Sequence, residues 1–313
     1  MKALAVIRFF FTQRGFTEIE VPLLVASPDS DPSLSPLEVR LRAFGSSALI
    51  TSPEYSMKKL LGKGMEKIFY LGKVFRDEET WNETHISEFT MLEWYETGID
   101  YRAGMEQTRA LVLAVAEALQ VTHHPLLEVW EMKRIEDLFV ERLGVDRIGE
   151  RSRDELFTEA SRLGVHTDAS DTWSDLFYRL YLFGIEPNLS REKATVLYDY
   201  PLPQAALARP CPGGVYAERF ELFSGTLELC NAFTELTDAV VQRSRFEAER
   251  RECIRLGKPV FPIDEELLCL LPSVPNPTFG NGLGVDRLLM TLLGGSSIED
   301  ILLFPPSHLF GNL

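Results

Sequence analysis

The stretch RFELFSGTLELCNAFTE, residues 219–235, concentrates residue types that could do chemistry. Two runs with mostly alternating apolar side chains flank Ser224-Gly225. A two-residue turn containing Gly between such runs predicts a β-hairpin. Counting outward from that turn, Phe223 faces Thr226, Leu222 faces Leu227 and Glu221 faces Glu228. Carboxylates directly opposed across a ladder repel. A hard divalent cation such as Mg²⁺ would remove the repulsion, because it takes carboxylate oxygens together with the phosphate oxygens of a nucleotide. Two acids on a solvated sheet face fit the same spacing, since a slip of one residue moves a side chain to the other face.

Two further sets carry charge or cleared space. Arg76 and Glu78 are two apart at the end of a predicted strand, so they point the same way. The FRDEE string reads as a solvated charge cluster. Alternatively it is a guanidinium that grips phosphate bidentately beside a carboxylate that reads an amino group on a base. Gly280, Gly282 and Gly284 alternate before a helix that carries Arg287. Alternate glycines clear one face of a strand, so a flat or anionic ligand can reach the backbone. Phe89 is either core or an aromatic face for a purine.

These residues need a scaffold, and the composition bounds it. The chain has 313 residues, 45% hydrophobic and 25% charged, with net charge −15. That describes a globular chain able to bury a core. Lys and Arg are scattered, with no basic stripe of the kind that holds nucleic acid by its phosphates. Cys211, Cys230, Cys253 and Cys269 show no CxxC spacing, which fits reduced cytoplasmic thiols. MKALAVIRFFF reads as an amphipathic helix and not a signal peptide, and no apolar run is long enough to span a membrane.

Along the chain the periodicity predicts a helix over 2–14 and a strand over 16–25 with Pro22 at an edge. A Pro/Ser/Asp-rich loop at 27–37 precedes a short strand at 49–52 and a helix from Pro53 to Lys59. Strands follow at 68–76 and 89–95 around a polar loop at 79–87, then a long helix at 102–120. Short amphipathic helices at about 125–193 read as an insertion. A strand at 195–200, the hairpin, a charged helix at 237–256 and the Gly-rich strand-to-helix junction close the chain. Strands separated by long insertions predict an α+β domain around a mostly antiparallel sheet.

Taken together, these pieces resemble the catalytic domain of class II aminoacyl-tRNA synthetases. GFTEIEVP, then VFRDEE with EFTMLEWY, then GLGVDR look like its three motifs in order, and the resemblance covers nearly the whole chain. TSPE, EFTMLEWY and ELCNAFTELTD look like the lysyl-tRNA synthetases. Those carry an N-terminal anticodon-reading domain, for which the first motif leaves no room here. A lysyl-type catalytic domain of this length is similar to the elongation factor P–(R)-β-lysine ligase family. WNETHISEFTMLEWY, FGIEPN, YDYPLPQAALA and RFELFSGTLELCNAFTELTD all look like that family.

The resemblance implies activation of lysine or (R)-β-lysine with ATP and Mg²⁺. Transfer to a lysine side chain of elongation factor P then follows, in a cytoplasmic homodimer. By position, Arg76 and Arg287 would be catalytic, Arg76 on the α-phosphate and Arg287 sandwiching adenine against Phe89 and reaching the γ-phosphate. Glu78, His85, Glu228, Leu229 and Gly284 would complete the nucleotide site, with Glu78 on the adenine amino group. Glu221 and Glu228 would ligate Mg²⁺. Ser52, Pro53, Glu54, Glu93, Tyr95, Asn231, Glu235 and Gly282 would line the amino-acid pocket, with Glu235 first for the distal amine, because a buried ammonium requires a carboxylate. The alternatives are a lysine-activating enzyme that charges tRNA or another acceptor, and a non-catalytic regulator. The second-motif loop is one residue longer than the family's, and Ile86 stands where the family usually has Asn. Gly282 stands where the family tends to have Ala, which leaves α- against β-lysine open. The N-terminal helix is short, which leaves a truncation open.

Overall fold

The structure, a computed structural model, describes residues 2–43, 45–77 and 82–311. Helix α1 (Lys2–Thr12) buries Ala3, Ile7, Phe10 and Phe11 on one stripe. The single strand predicted over 16–25 is instead two short pieces, β1 (Thr17–Glu18) and β2 (Leu24–Val25), in different sheets. Pro22 lies between them and has no N–H to continue a ladder. β3 (Glu38–Leu41) and β4 (Gly45–Leu49) join β2 in a small sheet of order β2-β4-β3. The strand predicted at 49–52 therefore ends where it was expected to begin. Ser52 turns to helix capping: its hydroxyl accepts from the Glu54 N–H at 3.0 Å, and Pro53 is the N-cap of α2 (Glu54–Gly62).

β5 (Lys67–Phe75) and β6 (Glu88–Thr97) pair antiparallel. Helix α3 (Tyr101–Leu119) starts where the Asp100 carboxylate accepts from the N–H groups of Arg102 and Ala103. The segment at 125–193 holds α4 (Ile135–Leu143), α5 (Arg153–Arg162) and α6 (Trp173–Gly184). It opens with a strand that periodicity did not reveal, β7 (Glu131–Arg134), parallel to β8 (Ala194–Pro201). Then come β9 (Tyr216–Ser224), β10 (Leu227–Thr234), α7 (Ala239–Leu256), α8 (Glu265–Leu270), β11 (Thr278–Gly284), α9 (Val285–Leu293) and α10 (Pro306–Phe310).

Among the described residues, eight strands form one sheet of order β1-β5-β6-β11-β10-β9-β8-β7. It is parallel at its two outer pairs and antiparallel between, the α+β arrangement the sequence predicts. Alternation along the strands decides the faces. Phe69, Leu71, Leu92, Trp94, Phe220, Leu222 and Leu283 point to one side and pack with α1 and α3. Burying each large apolar side chain there contributes roughly 1.5–3 kcal/mol.

The hairpin forms, but in a different register. Its turn is Gly225-Thr226, because Ser224 pairs with Leu227, and Gly225 takes φ +62°, which such a tight turn favours at its first central position. Phe223 therefore faces Glu228, and Glu221 faces Asn231. Glu221 and Glu228 are not cross-strand partners, so the repulsion argument from direct opposition falls. A bulge between Glu228 and Cys230 adds one residue, and Leu229 and Cys230 both join the core cluster. The bulge thereby returns Glu228 and Asn231, three apart, to the face that carries Glu221.

Candidate active site

On the face opposite that core, a cavity of about 300 Å³ sits over β6, β11, β10 and β9. Its floor is β11, where Gly280, Gly282 and Gly284 all line the cavity. Tyr95 and Glu93 stand beside Gly280 and Gly282 on β6, and Asn231 beside Gly282 on β10. Ser52, Glu54, Arg76, His85, Phe89, Glu221, Glu228, Leu229 and Arg287 complete the expected residues on its wall. Pro53 and Glu235 are buried off the wall, and Glu78 lies outside the described residues.

Three carboxylates are held in different ways. Glu93 is 3% exposed and accepts from the Tyr95 hydroxyl at 2.7 Å and the Ser52 hydroxyl at 2.6 Å. Burial, and then the nearby Glu54 charge, push its pKa up to about 8. Glu235 is also buried, and its carboxylate lies 2.6 Å from the Lys58 ammonium. Glu235 thus meets a cation of the protein itself, one that Glu54 shares, and lies over the cleared face of Gly280. Burial pushes it up to about 8 against the pull of Lys58. Glu221 gives one oxygen to Arg219, 2.5 Å away, and the other to the Tyr200 hydroxyl. Burial raises it to about 7, the Glu228 charge adding to the rise and Arg219 opposing it.

The cationic groups meet around the second motif and the start of α9. The Arg287 guanidinium donates to the Glu228 carbonyl at 3.0 Å and lies 2.7 Å from His85 Nε2. The Arg76 guanidinium sits 5.2 Å above the Phe89 ring. Asp286 accepts from the Thr90 N–H at 2.6 Å, which locks α9 to β6 beneath Arg287. Ile86, where the sequence departs from its resemblance, packs with Met290 and Ile298 and closes the wall with an apolar contact.

Sequence reasoning missed several wall residues. Asp29 and Asp31 come from the loop at 27–37, and Tyr178 comes from α6 of the insertion. Arg219 and Lys58 are the buried cations that pair with Glu221 and Glu235. A usable signal existed for Lys58 alone: it stands four residues after Glu54 in a helix that buries Met57 and Leu61.

The family described as tRNA synthetases class II (D, K and N) matches residues 1–308. The elongation factor P–(R)-β-lysine ligase of Proteus mirabilis is 35% identical over 312 residues, 97% of this chain and 93% of the relative. The enzyme of the same name from Pectobacterium atrosepticum is 36% identical over 308 residues, 96% of this chain and 91% of the relative. That from Salmonella typhi is 36% identical over 310 residues, 96% and 92% of the two chains. The chain belongs to the elongation factor P–(R)-β-lysine ligase family. As a member of that family it is an amino-acid ligase of the class II synthetase type, as the resemblance implies.

Within this ligase fold the floor glycines are not equivalent. A Cβ on Gly280 would stand 2.2 Å from Glu235 Oε1 and 2.5 Å from the Tyr95 ring. A Cβ on Gly282 would have nothing closer than Glu93 Oε2 at 3.7 Å. Gly280→Ala is therefore expected to displace Glu235 or Tyr95 and cost about 1–3 kcal/mol of stability, as overpacking does. Gly282→Ala is expected to fold normally and to change only which lysine isomer is preferred, by about 1–3 kcal/mol toward the β isomer. Thermal unfolding and exchange rates with both isomers measure this. Equal destabilisation by the two substitutions would contradict the geometry.

The buried acids also set a pH dependence. Asp29 is raised to about 7, and Glu93, Glu235 and Glu249 to about 8, burial being the largest cause for each. Their folded pKa values lie above their unfolded ones, so the stability they contribute is fully present below the ordinary carboxylate range. It is lost as pH rises through about 7–8. The ligand-free ligase should melt at lower temperature at pH 8.5 than at pH 6, and lysine should raise the melting temperature more at the higher pH. Melting curves at the two pH values, with and without lysine, test both signs. A ligand-free protein that grows more stable over this interval would contradict the assignment.

Proposed function

We propose that the chain activates lysine or (R)-β-lysine with ATP and passes the acyl group to a lysine side chain of elongation factor P. One observation carries the reading: Glu54 and Glu93, suited to ammonium groups, share a glycine-floored cavity with Arg76 and Arg287, suited to a nucleotide. The names of the curated relatives add the substrate and acceptor class.

In the first step the amino-acid carboxylate attacks the α-phosphorus of ATP and the bond to pyrophosphate breaks. Arg76 meets the charge that develops on the α-phosphate, and Arg287 stacks on adenine opposite Phe89. His85, Leu229 and Gly284 border the nucleotide. Glu54, Glu93, Tyr95, Ser52, Asn231 and Gly282 hold the amino acid. In the second step the acceptor amine attacks the acyl carbon, AMP leaves and the amine loses a proton. No covalent enzyme intermediate is needed.

The donor set fits Mg²⁺ carried in on a nucleotide. Glu221 and Glu228 supply hard oxygens in one cavity, and an ionised carboxylate has lone pairs beyond those engaged by Arg219 and Tyr200. No group of three or more candidate ligands occurs among the described residues, and an ion that takes one or two carboxylates plus phosphates does not need one. When bound, Mg²⁺ would neutralise phosphate charge.

We also infer a homodimer acting in the cytoplasm, each chain one catalytic unit with residues 125–193 inserted. β1 is an edge strand, and Phe9, Leu23 and Leu24 near it are exposed, a surface that a second copy would cover. Among the described residues no helix is long and apolar enough to cross a membrane. Light scattering at micromolar concentration should report twice the chain mass of 35.5 kDa, and a value equal to it would refute the dimer. The catalytic reading is tested by ATP–pyrophosphate exchange without tRNA, run with α- and β-lysine side by side. Exchange with one of them is expected. Exchange with neither would overturn the reading.

A further inference from the structure

Behind the cavity wall lies a buried cation that the two-step reaction does not use. Lys58, on α2, is 2% exposed. Its ammonium pairs with Glu54 of its own helix and, at 2.6 Å, with Glu235 at the end of β10. It also lies 5.3 Å from the Phe233 ring. Glu93 and Tyr95 face the same group from β6, and Tyr70 adjoins Glu93 from β5. Asp29, which feels the Glu54 charge from the loop at 27–37, has Arg76 among its neighbours. Glu54, Glu93 and Glu235 therefore share one internal ammonium, and two of the three carboxyl groups have no cation of the protein's own.

We propose that Lys58 is the positioning residue that fixes this balance, leaving two carboxylate charges for a substrate with two ammonium groups. This rests on the reading of the cavity as an amino-acid site. A substrate with one ammonium would leave a buried carboxylate unpaired, and unpaired buried charge is costly. Without Lys58 the three carboxylates would share no cation, and a proton would replace it. Substrate binding would then have to expel one proton more than in the unsubstituted protein.

The test compares Lys58→Met with the double variant Lys58→Met/Glu235→Gln, which removes the ammonium together with the acid that pairs with it off the cavity wall and restores the difference of two. In Lys58→Met, the KM for lysine should rise about tenfold or more at neutral pH, the scale of a lost charge-assisted contact, with the KM for ATP unchanged. Removing the ammonium raises the carboxyl pKa values further, so the excess in KM should shrink as pH rises toward about 8.5. In the double variant that added pH dependence should disappear. A Lys58→Met protein that fails to fold alongside a double variant that folds also supports the proposal. A Lys58→Met enzyme with the parent KM and pH profile overturns it, as does a double variant no different from the single one, folded or not. An unsubstituted protein inactive with both lysine isomers overturns the amino-acid reading itself, and this proposal with it. Activity in the unsubstituted protein together with an unaltered Lys58→Met profile removes the proposal alone.

Discussion

Arg287→Lys is expected to lose nearly as much lysine-dependent pyrophosphate exchange as Arg287→Ala, about 10²–10³-fold, the scale seen when one transition-state donor is removed. The reason is geometric. Two of the guanidinium nitrogens reach the Glu228 carbonyl and His85 Nε2, so the plane of the group is set before any nucleotide arrives. A lysine ammonium keeps the charge, but it has no plane to stack on adenine and cannot span both anchors. The Asp286 contact to Thr90 keeps α9 in place in either variant, so the fold should be unchanged. Near-normal turnover in Arg287→Lys would mean that the residue acts as a local point charge and that the stacking role is wrong.

Glu228→Gln is expected to abolish adenylate formation at ordinary Mg²⁺ while leaving the melting temperature within a few degrees. The amide keeps the shape of the side chain and removes the anionic ligand proposed for Mg²⁺. Glu228 pairs with Phe223 across the hairpin, and its backbone carbonyl, which anchors Arg287, is untouched by the substitution. Losing its charge should also let Glu221 ionise more readily, since that charge is one cause of the rise in Glu221. Exchange at the parent rate in Glu228→Gln would remove the metal assignment.

Much of this site was legible in the sequence because its signals are local. Alternate glycines before Arg287 require only a strand running into a helix, and β11 and α9 supply that. Glu93 and Tyr95 are two apart on one strand and so share a face. The errors arose where a single residue changes parity or where partners are distant. The hairpin register turned on Gly225 taking the first turn position and on one bulge after Glu228. Both acids still reach the cavity, but because the bulge corrects the face and not because they are opposed. Glu235 pairs with Lys58, 177 positions earlier in the chain, a partner that no local pattern shows. Lys58 itself, in EYSMKKLLG, looks like one charge of a solvated helix unless its spacing from Glu54 and the apolar Met57 and Leu61 beside it are given weight. Its burial comes from distant partners, Glu235 beyond the end of β10 and the Phe233 ring. Tyr178 could not be found from local pattern, because the insertion reaches the cavity through tertiary packing alone.

The central claim is that this ligase makes an activated lysine and delivers it to a protein. Its most direct test is the intact mass of elongation factor P after incubation with the enzyme, ATP, Mg²⁺ and either (R)-β-lysine or α-lysine, without tRNA. The account predicts a gain of one lysyl residue on a single lysine side chain, dependent on ATP and absent with Glu228→Gln. Pyrophosphate exchange with no change in the mass of elongation factor P, together with aminoacylation of tRNA in a parallel reaction, would contradict it.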